Sequence, residues 1–241
     1  MFKKVDGSNH GRNERKENID LKYTRDETLE DELLNDMAVA MHEPDRRQPS
    51  VSGMIRCITR TYWENELKLD DKPKLSRREI QLFASGLGLE KVLLSGRQNS
   101  IKGEFEGIQY HIDHLGTDGF IEFKSTRIKL NDDIETGPKV SDTWLKQVLS
   151  YFKAVGITQG HFVMFHVMGN YNPPFPDLRA YAIEATQEEI DDNWTWIQQR
   201  AVSYLTAVKN QQPPTPFTFN ESWECKECPF YGLCLARKTN E

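Results

Sequence analysis

The sequence predicts an α/β fold in which helices flank a central mixed sheet. Three observations favour this fold class. The 241 residues are enough to bury one sizeable core, and 37% hydrophobic with 28% charged residues suits a globular protein. Apolar residues recur at helical spacing near both ends of the chain and at strand-like spacing in the middle. The predicted order is therefore helices, two strands, a helix, two strands and a helix.

Three helices are predicted before the first strand, at residues 28–41, 50–67 and 76–94. The first lies within residues 1–49, a polar segment that we interpret as a flexible arm and a candidate protein-binding surface. The second carries Cys57 and has Ser50 or Ser52 as its capping residue. Ser76 is placed to cap the third helix.

The second half of the chain is predicted to hold strand 103–115, strand 119–127, helix 141–155, strand 160–168, strand 179–185 and a final helix from residue 187. A turn over residues 116–119 would join the first two strands. Ser141 and Gly156 are placed to begin and end the middle helix. Thr186 and Glu189 form the capping-box pattern that opens the last helix.

Charge and hydropathy limit the possible partners. A net charge of −6 argues weakly against nucleic acid, but basic residues gather locally, and five of them are candidates for a DNA backbone track: Arg56, Arg60, Arg77, Arg78 and Arg127. No apolar run is long enough to cross a membrane, and the first residues contain no apolar stretch typical of a secretion signal. The sequence therefore predicts a cytoplasmic protein with no membrane association.

The strongest chemical signal lies between Asp113 and Lys124. Glu122 and Lys124 are two residues apart in a predicted strand, so both side chains point to one face. If the two strands pair across their turn, Asp113 lies beside Glu122. Two carboxylates suit a hard cation such as Mg²⁺ or Mn²⁺, the Phe123 carbonyl could add a ligand, and Lys124 could orient or deprotonate the attacking water. An ordinary surface hairpin is the alternative.

Two nearby helices could complete such a site. Glu90 is a candidate third carboxylate for the metal, with Glu79 on the same predicted helix as its rival. Gln147 and Tyr151 lie one helical turn apart and share a face, where they could contact a substrate. Tyr151 could equally pack in the core.

Four cysteines form the second signal: Cys57, Cys225, Cys228 and Cys234. In a reducing compartment, closely spaced thiols indicate a metal or redox site rather than disulfides. Three of them lie in the C-terminal segment 223–237, and Cys57 would supply the fourth ligand by clamping an early helix to the tail. Both structural Zn²⁺ and an iron–sulfur cluster suit four thiolates.

Taken together, these motifs resemble the RecB-like PD-(D/E)XK nucleases, in particular the iron–sulfur exonucleases of CRISPR loci and their phage relatives. The resemblance covers about residues 50–237 and rests on Cys57, Glu90, Asp113 with Glu122-Phe123-Lys124, Gln147-x3-Tyr151 and the three tail cysteines. It implies a restriction-endonuclease-like core, a [4Fe–4S] cluster on the cysteines, and Mg²⁺ or Mn²⁺ at Asp113, Glu122 and the Phe123 carbonyl. It also implies catalytic help from Lys124 and DNA contacts by Gln147 and Tyr151.

The hypothesis that follows is a metal-dependent exonuclease, acting on single-stranded DNA ends in recombination, repair or CRISPR adaptation. Its setting would be the cytoplasm of a bacterial, archaeal or phage-infected cell. A non-catalytic iron–sulfur DNA-binding subunit and a structural zinc module are the alternatives. The intact Asp113, Glu122 and Lys124 favour the enzyme, because binding alone needs none of them.

Overall fold

The computed structural model describes residues 25–41, 48–67, 75–97, 100–117, 119–127, 140–167, 175–226 and 228–238. Its elements are α1 (Glu27–Ala40), α2 (Val51–Met54), α3 (Ile58–Glu66), α4 (Arg77–Leu93), β1 (Ile101–Phe105), β2 (Ile108–Ile112), β3 (His114–Gly116), β4 (Gly119–Thr126), α5 (Asp142–Val155), β5 (Gln159–His166), β6 (Asp177–Glu184), α6 (Gln187–Asn210), a short 3₁₀ helix (Ser222–Cys225) and α7 (Tyr231–Lys238). None of the helices in these ranges combines the length and apolar character that crossing a membrane requires.

The main sheet has four strands in the order β3-β4-β5-β6. β4 and β5 pair in parallel, and the other two pairings are antiparallel. α5 connects the two parallel strands, as a parallel pair requires a crossover. β1 and β2 form a separate antiparallel hairpin. The predicted fold class, an α/β protein with a mixed sheet flanked by helices, is confirmed.

The hydrophobic core fills the space between the sheet, α2, α3, α5 and α6. Its centre is aromatic: the Phe120 and Phe152 rings meet edge to face with centroids 5.1 Å apart. Tyr151 and Tyr204 are among the largest fully buried side chains. Apolar packing in this core therefore anchors α5 against the sheet, with Phe152 of α5 in contact with Phe120 of β4.

Several predicted helix boundaries are confirmed. Ser76 and Thr186 both begin capping boxes, at α4 and α6. Gly156 ends α5 with a φ of 72°, a left-handed conformation that favours glycine. Ser141 precedes α5 as expected, but its side chain makes no capping bond and instead donates to the Glu221 carboxylate.

Two predicted elements are divided in the structure. The helix expected over residues 50–67 is two helices, and Cys57 lies at the N-terminal boundary of the second. The strand expected over residues 103–115 is three strands: a turn at Glu106 and Gly107, with φ of 49° and 79°, separates β1 from β2, and Asp113 separates β2 from β3. Long-range contacts at the helix break, described below, explain why local spacing did not reveal the first division.

The helix predicted in the N-terminal arm exists, but its apolar face is not buried. α1 contains no buried residue, and Leu29, Leu33 and Met37 are exposed. α1 contacts α4, with Glu30 bound by Arg77. Residues 1–24 and 42–47 of the arm lie outside the described residues, and its protein-binding role stays a prediction.

Alanine substitutions at two glycines, Gly160 on β5 and Gly88 on α4, should change the stability of the fold in opposite directions. A Cβ at Gly160 would lie 2.6 Å from Cδ1 of Phe120, which is 1% exposed, whereas a Cβ at Gly88 meets nothing within 4 Å. We expect Gly160→Ala to destabilise the fold by about 1–3 kcal/mol. Gly88→Ala, inside α4, should stabilise it by about 0.5–1 kcal/mol. Urea unfolding would measure both, and equal midpoints for the two variants would contradict the packing.

Candidate active site

Asp113 lies between β2 and β3, where the chain turns from the hairpin into the main sheet. Its Oδ2 accepts a hydrogen bond from the Phe123 N–H at 2.9 Å. His114 pairs with Ile121, so the adjacent position, Asp113, lies next to Glu122. The pairing across the predicted turn is confirmed, and it brings the two carboxylates to the same place.

Glu122 and Lys124 share one face of β4, as their spacing predicts. The Lys124 Nζ donates to Oε1 of Glu122. Glu122 is only 1% exposed, and its Oε2 has no hydrogen-bond partner among the described residues. The Phe123 side chain is also buried and lies on the opposite face of the strand. A buried carboxylate oxygen without a partner is costly, and its position beside a lysine makes this a candidate functional site.

A third carboxylate, Glu90, lies on α4, which packs against β4. Burial raises the pKa of Glu122 to about 7; the Lys124 charge opposes this, and the charges of Asp113 and Glu90 raise it further. Burial also raises the pKa of Glu90, and the Asp113 charge adds to that effect. Glu79, the alternative on α4, instead accepts from the Ser76 backbone and hydroxyl groups. The structure therefore places Glu90 beside the site and assigns Glu79 to a helix cap.

The carboxylate oxygens of these residues are chemically suitable ligands for a divalent cation. Within the described ranges, no group of three or more His, Cys, Asp or Glu side chains is gathered closely enough to hold a metal ion. The oxygen donors nevertheless suit Mg²⁺ or Mn²⁺. The orphaned Oε2 of Glu122 is the atom that a cation would satisfy most directly.

Gln147 and Tyr151 share a face of α5, and the Gln147 amide donates to the Tyr151 hydroxyl at 2.8 Å. The Tyr151 ring is 2% exposed and packs near Phe120, with centroids 6.4 Å apart. Its predicted alternative, a place in the core, is confirmed. Stacking of this ring on a base does not fit such burial, which leaves the Gln147 side chain and the Tyr151 hydroxyl as the groups that could face a substrate.

The five arginines proposed as a DNA track are not equivalent. Arg77 binds Glu30, and Arg60 pairs with Glu64 at 2.6 Å. Arg78 and Arg127 are exposed, at the start of α4 and just beyond β4. Arg56 is exposed, yet the protein around it lowers its pKa, with help from the charge of Arg60, while the charges of Glu64, Glu224 and Tyr151 oppose the shift. Arg56 therefore lies within electrostatic reach of Tyr151, one turn from Gln147 on α5.

The four cysteines are free thiols, and the fold brings Cys57 to the C-terminal tail. Cys57 and Cys234 are 6% and 7% exposed. Burial raises the pKa of Cys225, and the charges of Cys57, Cys228 and Cys234 raise it further. The thiols therefore lie within electrostatic reach of one another, although they are not gathered as a ligand set. Their donor chemistry fits either an iron–sulfur cluster or zinc.

Sequence analysis missed the residues that hold this arrangement together. Arg200 donates to the carbonyl oxygens of Met54, Arg56 and Thr218. Glu221 accepts from Ser141 and Thr143 and thereby fastens the segment before the tail cysteines to α5. No local spacing signals these roles, because each partner is distant in the sequence.

Comparisons with solved structures show the fold. SSO0001 matches with a TM-score of 0.53 and 19% identity, over 87% of this chain and 96% of that one. An alkaline exonuclease from Laribacter hongkongensis, LHK-Exo, matches with a TM-score of 0.43 and 14% identity, over 73% of this chain and 95% of that one. A phage-related exonuclease from Haemophilus somnus 129PT matches with a TM-score of 0.39 and 13% identity, over 73% and 99%.

The likeness to SSO0001 is one of fold. No family model matches the chain, and a search of curated proteins finds no match. The class that the fold and site define is an α/β protein with a carboxylate–lysine centre at the junction of two antiparallel strands.

The buried Glu122 carboxylate gives a pH prediction for the metal-free protein. Its pKa rises from 4.5 to about 7 on folding, so the folded state keeps a proton that the unfolded state loses between these values. Stability is therefore lost as the pH rises through this window. Glu122→Gln should remove the loss and stabilise the protein at pH 8 by on the order of 2–3 kcal/mol.

Chemical unfolding in EDTA at pH 5 and pH 8 would measure this effect. The matched control is Glu184→Gln, which neutralises an exposed carboxylate on β6 and should change little at either pH. The burial argument is wrong if Glu122→Gln destabilises the protein at pH 8 as much as at pH 5.

Proposed function

We propose that this protein is a metal-dependent nuclease that hydrolyses phosphodiester bonds in DNA. The observation that carries the proposal is the convergence of Asp113, Glu122 and Lys124 at the β2–β3–β4 junction. A structural ion pair does not require a second carboxylate, a buried oxygen without a partner and a third acidic group near by. A site for a cation and a phosphate explains all three features.

In this proposal Asp113 and Glu122 hold Mg²⁺ or Mn²⁺, with Glu90 and the Phe123 carbonyl as additional oxygen ligands. When bound, the cation supplies Lewis-acid stabilisation of charge on the phosphate. The Asp113 carboxylate is oriented by the Phe123 N–H. Lys124, held by Glu122 on the same strand face, orients the attacking water or donates to a phosphate oxygen.

We propose Gln147 and Arg56 as the substrate contacts. Gln147 on α5 can donate or accept a hydrogen bond, and Arg56 supplies a cation at the break between α2 and α3. We propose the narrower activity of an exonuclease on single-stranded DNA ends, in recombination, repair or CRISPR adaptation. The family resemblance described above supports this narrower form.

Labelled single-stranded and double-stranded DNA, incubated with Mg²⁺, Mn²⁺ or EDTA, tests the proposal. The wild-type protein should shorten the single strand only with metal, and Asp113→Asn should leave it intact. Equal products from Asp113→Asn and wild type would end the proposal. Binding without cleavage would favour the alternative of a non-catalytic DNA-binding subunit.

We also propose that Cys57, Cys225, Cys228 and Cys234 hold a [4Fe–4S] cluster, with structural Zn²⁺ as the alternative. The support is the burial and mutual influence of the thiols. Protein purified without oxygen should be brown and contain iron, because thiolate–iron bonds absorb visible light. Cys234→Ser should lose both the colour and most of the iron. A colourless wild type with one zinc per chain would establish the zinc alternative.

A further inference from the structure

The break between α2 and α3 is held on one side by an arginine from α6. Arg200 donates through Nε to the Met54 carbonyl at 2.5 Å and through Nη2 to the carbonyls of Arg56 and Thr218. Its guanidinium also lies over the Trp196 ring, 4.6 Å from the centroid. In an uninterrupted helix the Met54 and Arg56 carbonyls would accept from the amides four positions later, so their bonds to Arg200 accompany the break just before Cys57.

A buried carboxylate holds the other side of the break. Glu224 is 6% exposed, and its Oε2 accepts from the Cys57 N–H at 2.8 Å. Its Oε1 accepts from the N–H groups of Asn220 and Glu221, at 2.9 and 3.0 Å. Hydrogen bonds from backbone amides to a carboxylate are strong, and three of them compensate for burying the charge.

Glu224 directly precedes Cys225 in the sequence. The residue that binds the Cys57 N–H is therefore the neighbour of the first tail cysteine. The Thr218 hydroxyl bonds the Thr59 N–H and lies 3.6 Å from the Cys57 Sγ. Cys57 is therefore fixed to the tail by side chains of the protein itself, across 167 positions of sequence.

We propose that Glu224 is a positioning residue for Cys57, one that places this thiol beside the three tail cysteines before any metal or cluster binds. The inference rests on the cysteine centre proposed above, which gives the arrangement its purpose. Glu224 is not proposed as a ligand, since its oxygens are occupied by backbone amides. Arg200, whose pKa burial lowers and the charges of Cys57 and Glu224 raise, balances the negative charge of this region.

The test measures thiol reactivity in the metal-free, reduced, full-length protein. Iodoacetamide labelling of each cysteine, followed by peptide mass spectrometry, should show slow labelling of Cys57 in the wild type. In Glu224→Ala the labelling of Cys57 should rise roughly tenfold, because three hydrogen bonds to a charged acceptor are lost. Glu224→Gln, which keeps one acceptor oxygen, should give a smaller rise and guards against unfolding of the alanine variant.

The matched control is Glu189→Ala. Glu189 also accepts from a backbone N–H, that of Thr186 at 2.8 Å, but it caps α6 and bonds no group near Cys57. Unchanged Cys57 labelling in both Glu224 variants overturns the proposal, as does an equal rise in Glu189→Ala, which would indicate general loosening.

A second readout is the metal retained after anaerobic reconstitution. Iron or zinc per chain should fall several-fold in Glu224→Ala and stay at the wild-type level in Glu189→Ala; equal retention overturns the proposal. A wild type that takes up neither metal would remove the proposed centre, and the labelling of Cys57 would then decide separately on the role of Glu224.

Discussion

Replacing Lys124 with alanine is expected to lower the rate of DNA cleavage by roughly 10²–10⁴-fold, the range in which a group that handles protons contributes to catalysis. The Lys124 side chain is 19% exposed and donates a hydrogen bond to the Glu122 carboxylate. Its loss would remove the cation that is paired with Glu122 at the proposed centre. Substrate binding should change much less, because the arginines and Gln147 remain.

Single-turnover cleavage and DNA-binding measurements at one salt concentration would separate these effects. The control is Lys153→Ala, which removes a lysine paired with Asp191 at 2.6 Å on the helical side of the molecule. It should cleave at the wild-type rate. If Lys124→Ala cleaves as fast as Lys153→Ala, the catalytic assignment of β4 fails.

Arg200→Ala is expected to lower the free energy of unfolding by about 2–4 kcal/mol. The substitution leaves the part-buried carbonyls of Met54 and Thr218 without this donor, frees the exposed Arg56 carbonyl, and removes the ring contact with Trp196. Orphaned buried acceptors cost about 1–3 kcal/mol each before relaxation. The break that carries Cys57 should loosen first.

Urea unfolding of Arg200→Ala and Arg179→Ala makes the comparison. Arg179 forms a surface pair with Asp177 on β6, and such pairs contribute only about 0–1 kcal/mol. Limited proteolysis should cut Arg200→Ala faster than wild type near residues 54–57. Similar unfolding energies for the two arginine variants would show that the Arg200 network does not hold the early segment to the tail.

Local rules predicted much of the fold. Ser76 and Thr186 begin helices because a side-chain oxygen and a glutamate three positions later satisfy the first amide groups, whatever lies elsewhere in the chain. Gly156 ends α5 because its φ is accessible without strain. The α/β class followed from changes of apolar period, which depend only on neighbouring residues.

Local rules failed where residues distant in the sequence bind the backbone or determine burial. Spacing predicted one helix over residues 50–67, but Arg200 binds carbonyls at its middle and Glu224 binds the Cys57 amide. Tyr151 has the same spacing from Gln147 whether it stacks on a substrate or packs in the core. Its burial depends on Phe120, a residue of another element.

The sequence by itself determined which atoms could do chemistry: Glu122 and Lys124 on one strand face, with Asp113 brought to them by a short turn. Strand alternation and hairpin pairing are local, so spacing alone fixes them. Only the tertiary structure decided that Glu90 rather than Glu79 approaches the carboxylates, and that Cys57 reaches the tail. Those outcomes depend on how helices pack and which buried groups find partners, which residue spacing does not encode.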